Sequence, residues 1–294
     1  MSTEVVTTPP PLTDPPTDPN SHVTGIVKRS GSSFFWAMRL LPLEKRNALF
    51  AVYAFCREVD DIADEPGAME AKRAELSAWR DEIDRVYAGT PQFPVGHALA
   101  NAVPKYNLDK EDFLAVIEGM EMDAPLRLRI TDMTGLVYYC DRVACAVGRL
   151  CNRVFGIDRE NGNKIAEALG LALQLTNILR DVQEDAARDH VYLPGDLLNK
   201  HGVDSSDAVS IVTQPGLEAV CTEIAALAGQ KFAEARRHLA ACDRRKMRPA
   251  IVMMEVYRRV YDRLEARGWG RVTEPVSVPK LEKLWIALRH GLSS

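Results

Sequence analysis

No stretch of 18 consecutive uncharged apolar residues occurs in this 294-residue chain, so no segment is expected to cross a membrane as a helix. No basic n-region precedes an apolar core near the N-terminus, and no secretory signal is expected. Cysteine is sparse. The six, Cys56, Cys140, Cys145, Cys151, Cys221 and Cys242, make no CxxC pair, and several lie in apolar helical patterns. They suit buried thiols in a reducing cytosol rather than a disulfide frame. The chain also lacks a His/Cys set that would hold zinc. The net charge is only −4, so the basic footprint of a nucleic-acid binder is missing and no such partner is expected. No Gly-rich dinucleotide fingerprint is present. β-branched alternation never persists, and no repeat of fixed period appears. A cytoplasmic protein is the expectation.

What is present is helical texture. Residues 1–24 carry six of the 17 prolines and few large apolar side chains, so a disordered tail is expected there. From residue 25 to 294 the chain reads as a single all-α domain. Apolar residues recur at spacings of three and four over 43–64, 68–88, 109–122, 132–155, 159–188, 216–242 and 245–267. Breakers such as "EPGA" at 65–68, "GTPQFPVG" at 89–96 and "LPGD" at 193–196 separate them.

Two of these helices carry polar stripes. Tyr53, Arg57, Asp60 and Asp64 share one helical face, and the other faces hold Val52, Phe55, Val59 and Ile62. Gln174, Asn177, Asp181 and Asp185 share a face of a second apolar helix, and Arg180 precedes its first acid as Arg57 precedes Asp60. Alone, either stripe reads as a solvated helix face. Two matching stripes on helices that look otherwise buried point to a built site, because buried carboxylates need compensating cations. Hard oxygen ligands in this number suit Mg²⁺, which keeps waters and bridges to phosphate. The chemistry implied is a polyphosphate held between two helices, with Arg57 and Arg180 as further anion contacts. Asp61, Glu58 and Glu65 fall off the first stripe and are expected to be supporting or solvated. A diphosphate that leaves generates a carbocation, which requires a dry apolar pocket. "SSFFWAM" (32–38), Tyr53 and Phe55 are candidates for its wall. The small residues of "YYCDRVACAVGRLC" (138–151) could leave room for a long chain or simply allow close helix packing.

These motifs carry a resemblance. "SGSSFFWAMRLLP", "YAFCREVDDIADE", "YCDRVACAVGRL" and "LALQLTNILRDVQEDAARDHVYLP", in this order over about residues 25–290, resemble the squalene and phytoene synthase family, head-to-head prenyl transferases of the all-α isoprenoid-synthase fold with a central active-site cavity. The resemblance implies that Asp60, Asp64, Asp181 and Asp185, with Asn177, bind several Mg²⁺ ions that bridge the diphosphates. It implies that Ser30, Ser33 and Phe34 belong to a loop closing over the first diphosphate, with Tyr53 as a hydroxyl partner and Arg57 beside it. Gln174 would face the cavity, Arg180, Tyr257 and Arg271 would contact diphosphate, and Tyr139 would handle a proton near the cation. A core tyrosine with a satisfied hydroxyl is the other reading of Tyr139. Relatives often carry Arg where this chain has His190, so that contact is either lost or taken by Arg188.

Within the family the motifs look most like bacterial members of hopanoid pathways. The implied reaction takes two molecules of farnesyl diphosphate to presqualene diphosphate without NADPH, leaving reduction to squalene to a downstream enzyme. Phytoene synthesis from geranylgeranyl diphosphate and full NADPH-dependent squalene synthesis are the near alternatives. A non-catalytic helical assembly protein is the remote one, and it would be expected to have lost the acids. The C-terminal "PKLEKLWIALRHGL" is amphipathic and reads as a last helix packed on the core or as a weak peripheral membrane contact.

Overall fold

The structure, a computed structural model, describes residues 18–30, 38 and 41–292. Ser33 and Phe34 therefore lie outside the described residues, as do residues 1–17. Helix α1 (Pro19–Arg29) begins inside the segment expected to lack order, so the boundary at residue 24 is corrected. Asp18 caps α1 by accepting from the Asn20 N–H, Pro19 occupies the first turn, and Val23, Ile26 and Val27 are buried. These three side chains hold α1 against its neighbours.

Helices α2 (Leu43–Asp64), α3 (Met69–Ala88) and α5 (Lys110–Asp123) match the periodic segments closely. Between α3 and α5 the structure adds α4 (Pro94–Tyr106), which the sequence pattern does not announce. Its entry is fixed from a distance. The buried carboxylate of Glu82 on α3 accepts the backbone N–H groups of Gln92 and Phe93, each at 2.8 Å. At the other end of α2, Lys72 donates to the Ala63 carbonyl at 2.6 Å, covering a backbone acceptor left over by the helix terminus.

The expected helix over 132–155 is interrupted. It runs as α6 (Met133–Cys140), a π turn (Asp141–Cys145) and α7 (Ala146–Phe155). The turn packs on α8 (Arg159–Ala187) at Gly170, where a Cβ atom would stand 2.8–2.9 Å from Sγ, Cα and N of Cys145. A Cβ at Gly148 of α7 would meet that of Ala166 at 3.1 Å. The small residues thus permit close approach, and Gly148 and Ala144 also line the cavity described below. Arg149 ties the turn to α5 through Asp141 (2.7 Å) and Asp112 (2.5 Å).

A two-residue parallel pair, β1 (Leu128–Arg129) with β2 (His190–Val191), joins the loops after α5 and α8 in the register Leu128↔His190 and Arg129↔Val191. Asp189, at φ 59°, turns the chain into β2, and its carboxylate accepts from Arg129. The chain continues through α9 (Gly195–Lys200), a 3₁₀ turn (Val209–Thr213), α10 (Leu217–Ala240), α11 (Arg244–Arg267) and α12 (Lys280–Leu292). Helix α8 packs on α7, α10 and α11, while α2 packs on α1, α4, α5 and α7. Helix α7 touches both α2 and α8, which stand on either side of it.

Phe55 does not line a pocket. It is fully buried, edge-on to Trp79 (5.3 Å between centroids) and Phe113 (5.2 Å). Two residues along a helix is a rotation of about 200°, which turns Phe55 away from the face of Tyr53.

Candidate active site

Asp60 and Asp64 occupy the last turns of α2, and Asp181 and Asp185 the last turns of α8. This is the wrong end for acids, since a helix C-terminus already carries partial negative charge. Neither helix has a basic residue in its last turn. The compensating cations are arginines. Arg57 pairs with Asp60 (3.0 Å) and Asp61 (2.5 Å), Arg180 donates twice to Asp181 (2.7 and 2.6 Å), and Arg188 pairs with Asp64 (2.7 Å). Arg188 follows α8, so its pair with Asp64 stitches the two acidic ends together. Off the stripe, Asp61 takes the other arm of Arg57 and Glu58 pairs with His22 at 3.6 Å.

The expectation that the acids are buried is corrected. Their side chains are 43% (Asp60), 48% (Asp64) and 27% (Asp181) exposed, at an open rim. Partial burial and like charge still act on them. Desolvation, then Asp64, pushes the Asp60 carboxyl up to about 6, and desolvation, then Asp181, pushes Asp185 up to about 7.

These shifts have a sign that can be tested. An unfolded Asp titrates near ~3.9, so between that value and about 7 the folded chain holds protons that the unfolded chain has lost. The stabilisation is complete below the unfolded value and is lost as pH rises through the folded values of about 6 and about 7. Melting curves of the ligand-free protein should therefore show stability falling with pH across this window, and less steeply in an Asp60→Asn/Asp185→Asn variant. Equal slopes in the two proteins would remove these carboxyls as the cause.

Below the rim lies a cavity of about 290 Å³ with a mostly apolar wall. Tyr53, Gln174, Asn177 and Tyr257 line it on the acidic side, while Leu49, Phe155 and Ile165 lie toward the opposite ends of their helices. From Ile165 to Asn177 along α8 is about 18 Å at ~1.5 Å per residue. The amide Oδ1 of Asn177 is buried with no hydrogen-bond partner, while its Nδ2 donates to Gln174 at 3.3 Å. An orphaned buried acceptor one turn from Asp181 is a place for a cation or a donor from a ligand. Among the described residues no three His, Cys, Asp or Glu side chains converge tightly enough to cage a metal by themselves.

On the far side of Arg57 an open cleft is lined by His22, Arg29, Ser30 and Arg57, with Glu58 and Asp61 at its edge. Ser30 is thus placed near Arg57. Tyr53 and Arg57 lie close enough to interact electrostatically, as do Arg180 and Tyr257. Arg271 stands apart among the described contacts: it pairs with Glu274 at 3.6 Å and is well exposed.

Tyr139 is buried, and its hydroxyl donates to Asp123 at 2.9 Å. Tyr192 donates to the other oxygen of Asp123 at 2.8 Å, and the two rings stack at 5.0 Å. Tyr139 thus has the satisfied hydroxyl of the core reading, and it is not among the residues that line the cavity. Asp123 is the residue that sequence reasoning missed. Desolvation pushes its carboxyl up to about 7 against the two hydroxyl donors, with Asp60 and Asp64 adding like charge. His190 is buried with Nε2 at 2.9 Å from the Pro125 carbonyl oxygen. The cation nearest the acids in this segment is Arg188.

Residues 27–282 match the squalene/phytoene synthase family. The chain is 44% identical over 262 residues to a presqualene diphosphate synthase of Sinorhizobium fredii, covering 89% of this chain and 94% of that protein. It is 32% identical over 271 residues to a 15-cis-phytoene synthase of Synechococcus elongatus, covering 88% of each. A crystal structure of a dehydrosqualene synthase in complex with ligand shares the fold, with a TM-score of 0.80 at 24% identity over 92% of this chain and 95% of that one. The chain belongs to the squalene/phytoene synthase family.

Proposed function

We propose that this chain joins two farnesyl diphosphates head to head to give presqualene diphosphate, releasing one diphosphate. The observation that carries this reading is the apolar cavity opening beside two acid-bearing helix ends, with Asn177 Oδ1 orphaned between cavity and acids. The higher identity to a presqualene diphosphate synthase than to a phytoene synthase supports the C15 substrate.

The donor set fits Mg²⁺: hard oxygens, an unpartnered amide acceptor, and carboxyls raised by desolvation and then by their mutual repulsion. Asp60, Asp64, Asn177, Asp181 and Asp185 would hold the ions, with waters and phosphate oxygens completing the shells. When bound, Mg²⁺ neutralises the diphosphate and makes it a better leaving group.

The chain's own residues do the rest. Arg57, Arg180 and Arg188 exchange their carboxylate partners for phosphate oxygens, aided by Ser30, Tyr53 and Tyr257 at the rim. In the donor substrate the C1–O bond breaks and its electron pair leaves on the diphosphate. The 2,3 double bond of the second substrate supplies the new carbon–carbon bond, and loss of one proton closes the cyclopropane. The apolar wall keeps water from the cation. Tyr139, its hydroxyl held by Asp123, would handle the proton. The product keeps one diphosphate and needs no hydride, so NADPH is not required, and reduction to squalene falls to another enzyme.

Incubation with farnesyl diphosphate and Mg²⁺, without NADPH, should give presqualene diphosphate and one diphosphate per two substrates consumed. No turnover, or turnover of the C20 substrate alone, would overturn this reading. Squalene formed on adding NADPH would make the chain a complete squalene synthase instead.

A further inference from the structure

Helix α12 is built inside out for a helix lying against water. Leu281, Leu284, Trp285 and Leu288 recur at i, i+3, i+4 and i+7, which is a single stripe. That stripe faces solvent, at 81%, 44%, 50% and 50% exposure. The carboxylate of Glu282 faces the body instead, where Arg263 (2.5 Å) and Arg259 (3.7 Å) hold it. Ile286 and Ala287 are buried, and Ala287 clusters with Val252 of α11. The helix is therefore fastened by its minor face and presents its leucines and tryptophan outward.

The fringe of this stripe is cationic. Lys280 flanks it on one side, and on the other the Arg289 guanidinium lies 5.0 Å over the Trp285 ring. The one acid of the helix, Glu282, is already paired inward. A local positive patch on a chain of net charge −4 is selective: it attracts an anionic surface only at short range. Among the described residues no helix is long and apolar enough to cross a membrane, and thirteen residues reach only about 20 Å of the ~30 Å hydrocarbon core.

We propose that α12 docks this protein on the surface of a bilayer containing anionic lipid. Its Leu281–Leu284–Trp285–Leu288 stripe lies at the headgroup–acyl boundary and Lys280 and Arg289 meet the lipid phosphates. A second copy of the chain fits the stripe less well. A two-fold contact would bring the basic fringes of both copies together, and lysines are depleted at such interfaces. Helix α11 carries the consequence inward. One of its faces holds Val252 against α12, and another lends Pro249, Met253 and Tyr257 to the cavity wall. The bilayer contact is thus one helix away from the chamber. Docking stands on the helix alone, and only its use for taking up and returning prenyl lipids rests on the proposed function.

The test is co-sedimentation of the full chain with vesicles of equal parts phosphatidylglycerol and phosphatidylcholine, and with phosphatidylcholine alone. Binding to the anionic vesicles is expected, weakened by salt. It should fall about tenfold or more in Leu284→Ser/Trp285→Ser, since each buried apolar side chain removed weakens partitioning by about that factor. Lys280→Gln/Arg289→Gln should lose the preference for anionic vesicles. Turnover in detergent should be unchanged in both variants, which separates failure of docking from failure of the proposed reaction. No binding to either vesicle, or unchanged binding of Leu284→Ser/Trp285→Ser, overturns the proposal. So does a wild-type dimer that this variant turns into a monomer, because the stripe would then be an interface between copies.

Discussion

Asp60→Asn and Asp185→Asn should each lower turnover of farnesyl diphosphate by about 10²–10³-fold, the usual effect of removing one group that stabilises developing charge, while the protein stays folded. The substitution keeps shape and removes charge. That charge is unfavourable in the ligand-free chain: both carboxyls sit at negative helix ends, and both are pushed up, to about 6 and about 7. The melting temperature near pH 8 should therefore be equal to or above that of the wild type. Lost activity combined with unimpaired stability is the mark of acids that serve a ligand rather than the fold. A variant that unfolds would instead make them structural, and one with unaltered turnover would remove them from the site.

The second large effect is expected at Asp123. Asp123→Asn should lower kcat by about 10²-fold, within the range of a lost proton-handling group, with little change in KM. The carboxylate accepts from both Tyr139 (2.9 Å) and Tyr192 (2.8 Å), and an amide offers a single acceptor oxygen for those two hydroxyls. Tyr139→Phe should give a similar loss, and the double variant little more than either alone, because the two act as one unit. Since the Asp123 carboxyl is pushed up to about 7, the wild-type kcat should rise with pH through that region as the hydroxyl acceptor ionises. That component should be absent in Asp123→Asn. A purely additive double variant with an unchanged pH profile would reduce Asp123 to packing.

Much of this could be read in the sequence, for physical reasons that also explain the failures. Helix α2 was legible to its ends because Pro42 and "EPGA" bracket an unbroken apolar period. The two acid stripes were legible because a spacing of three or four places residues on one face whatever surrounds the helix. Periodicity gives the face and not the depth along the axis, so the acids were expected to be buried where the structure puts them at a rim. Phe55 shows the complementary error: apolar character alone does not say whether a ring meets a cavity or other rings. Helix α4 was missed because its start depends on Glu82, ten residues earlier, accepting the N–H of Gln92.

Asp123 left no local signal at all. It is one acid at the end of a helix rich in acids, and its partners lie 16 and 69 residues away. The Arg188–Asp64 pair, 124 residues apart, was equally out of reach of any local pattern, although His190 had drawn attention to that segment. The π turn between α6 and α7 follows from how Cys145 meets Gly170, a tertiary fact.

The central claim is that the ends of α2 and α8 form one metal–diphosphate site above the apolar cavity. It is tested most directly by the affinity for an unreactive farnesyl diphosphate analogue, measured by calorimetry with and without Mg²⁺. The wild type should bind about 10²-fold more tightly with Mg²⁺, a difference of about 2.7 kcal/mol, and Asp60→Asn/Asp185→Asn should lose that gain while keeping the metal-free affinity. Equal affinity of the wild type with and without Mg²⁺ would contradict the claim.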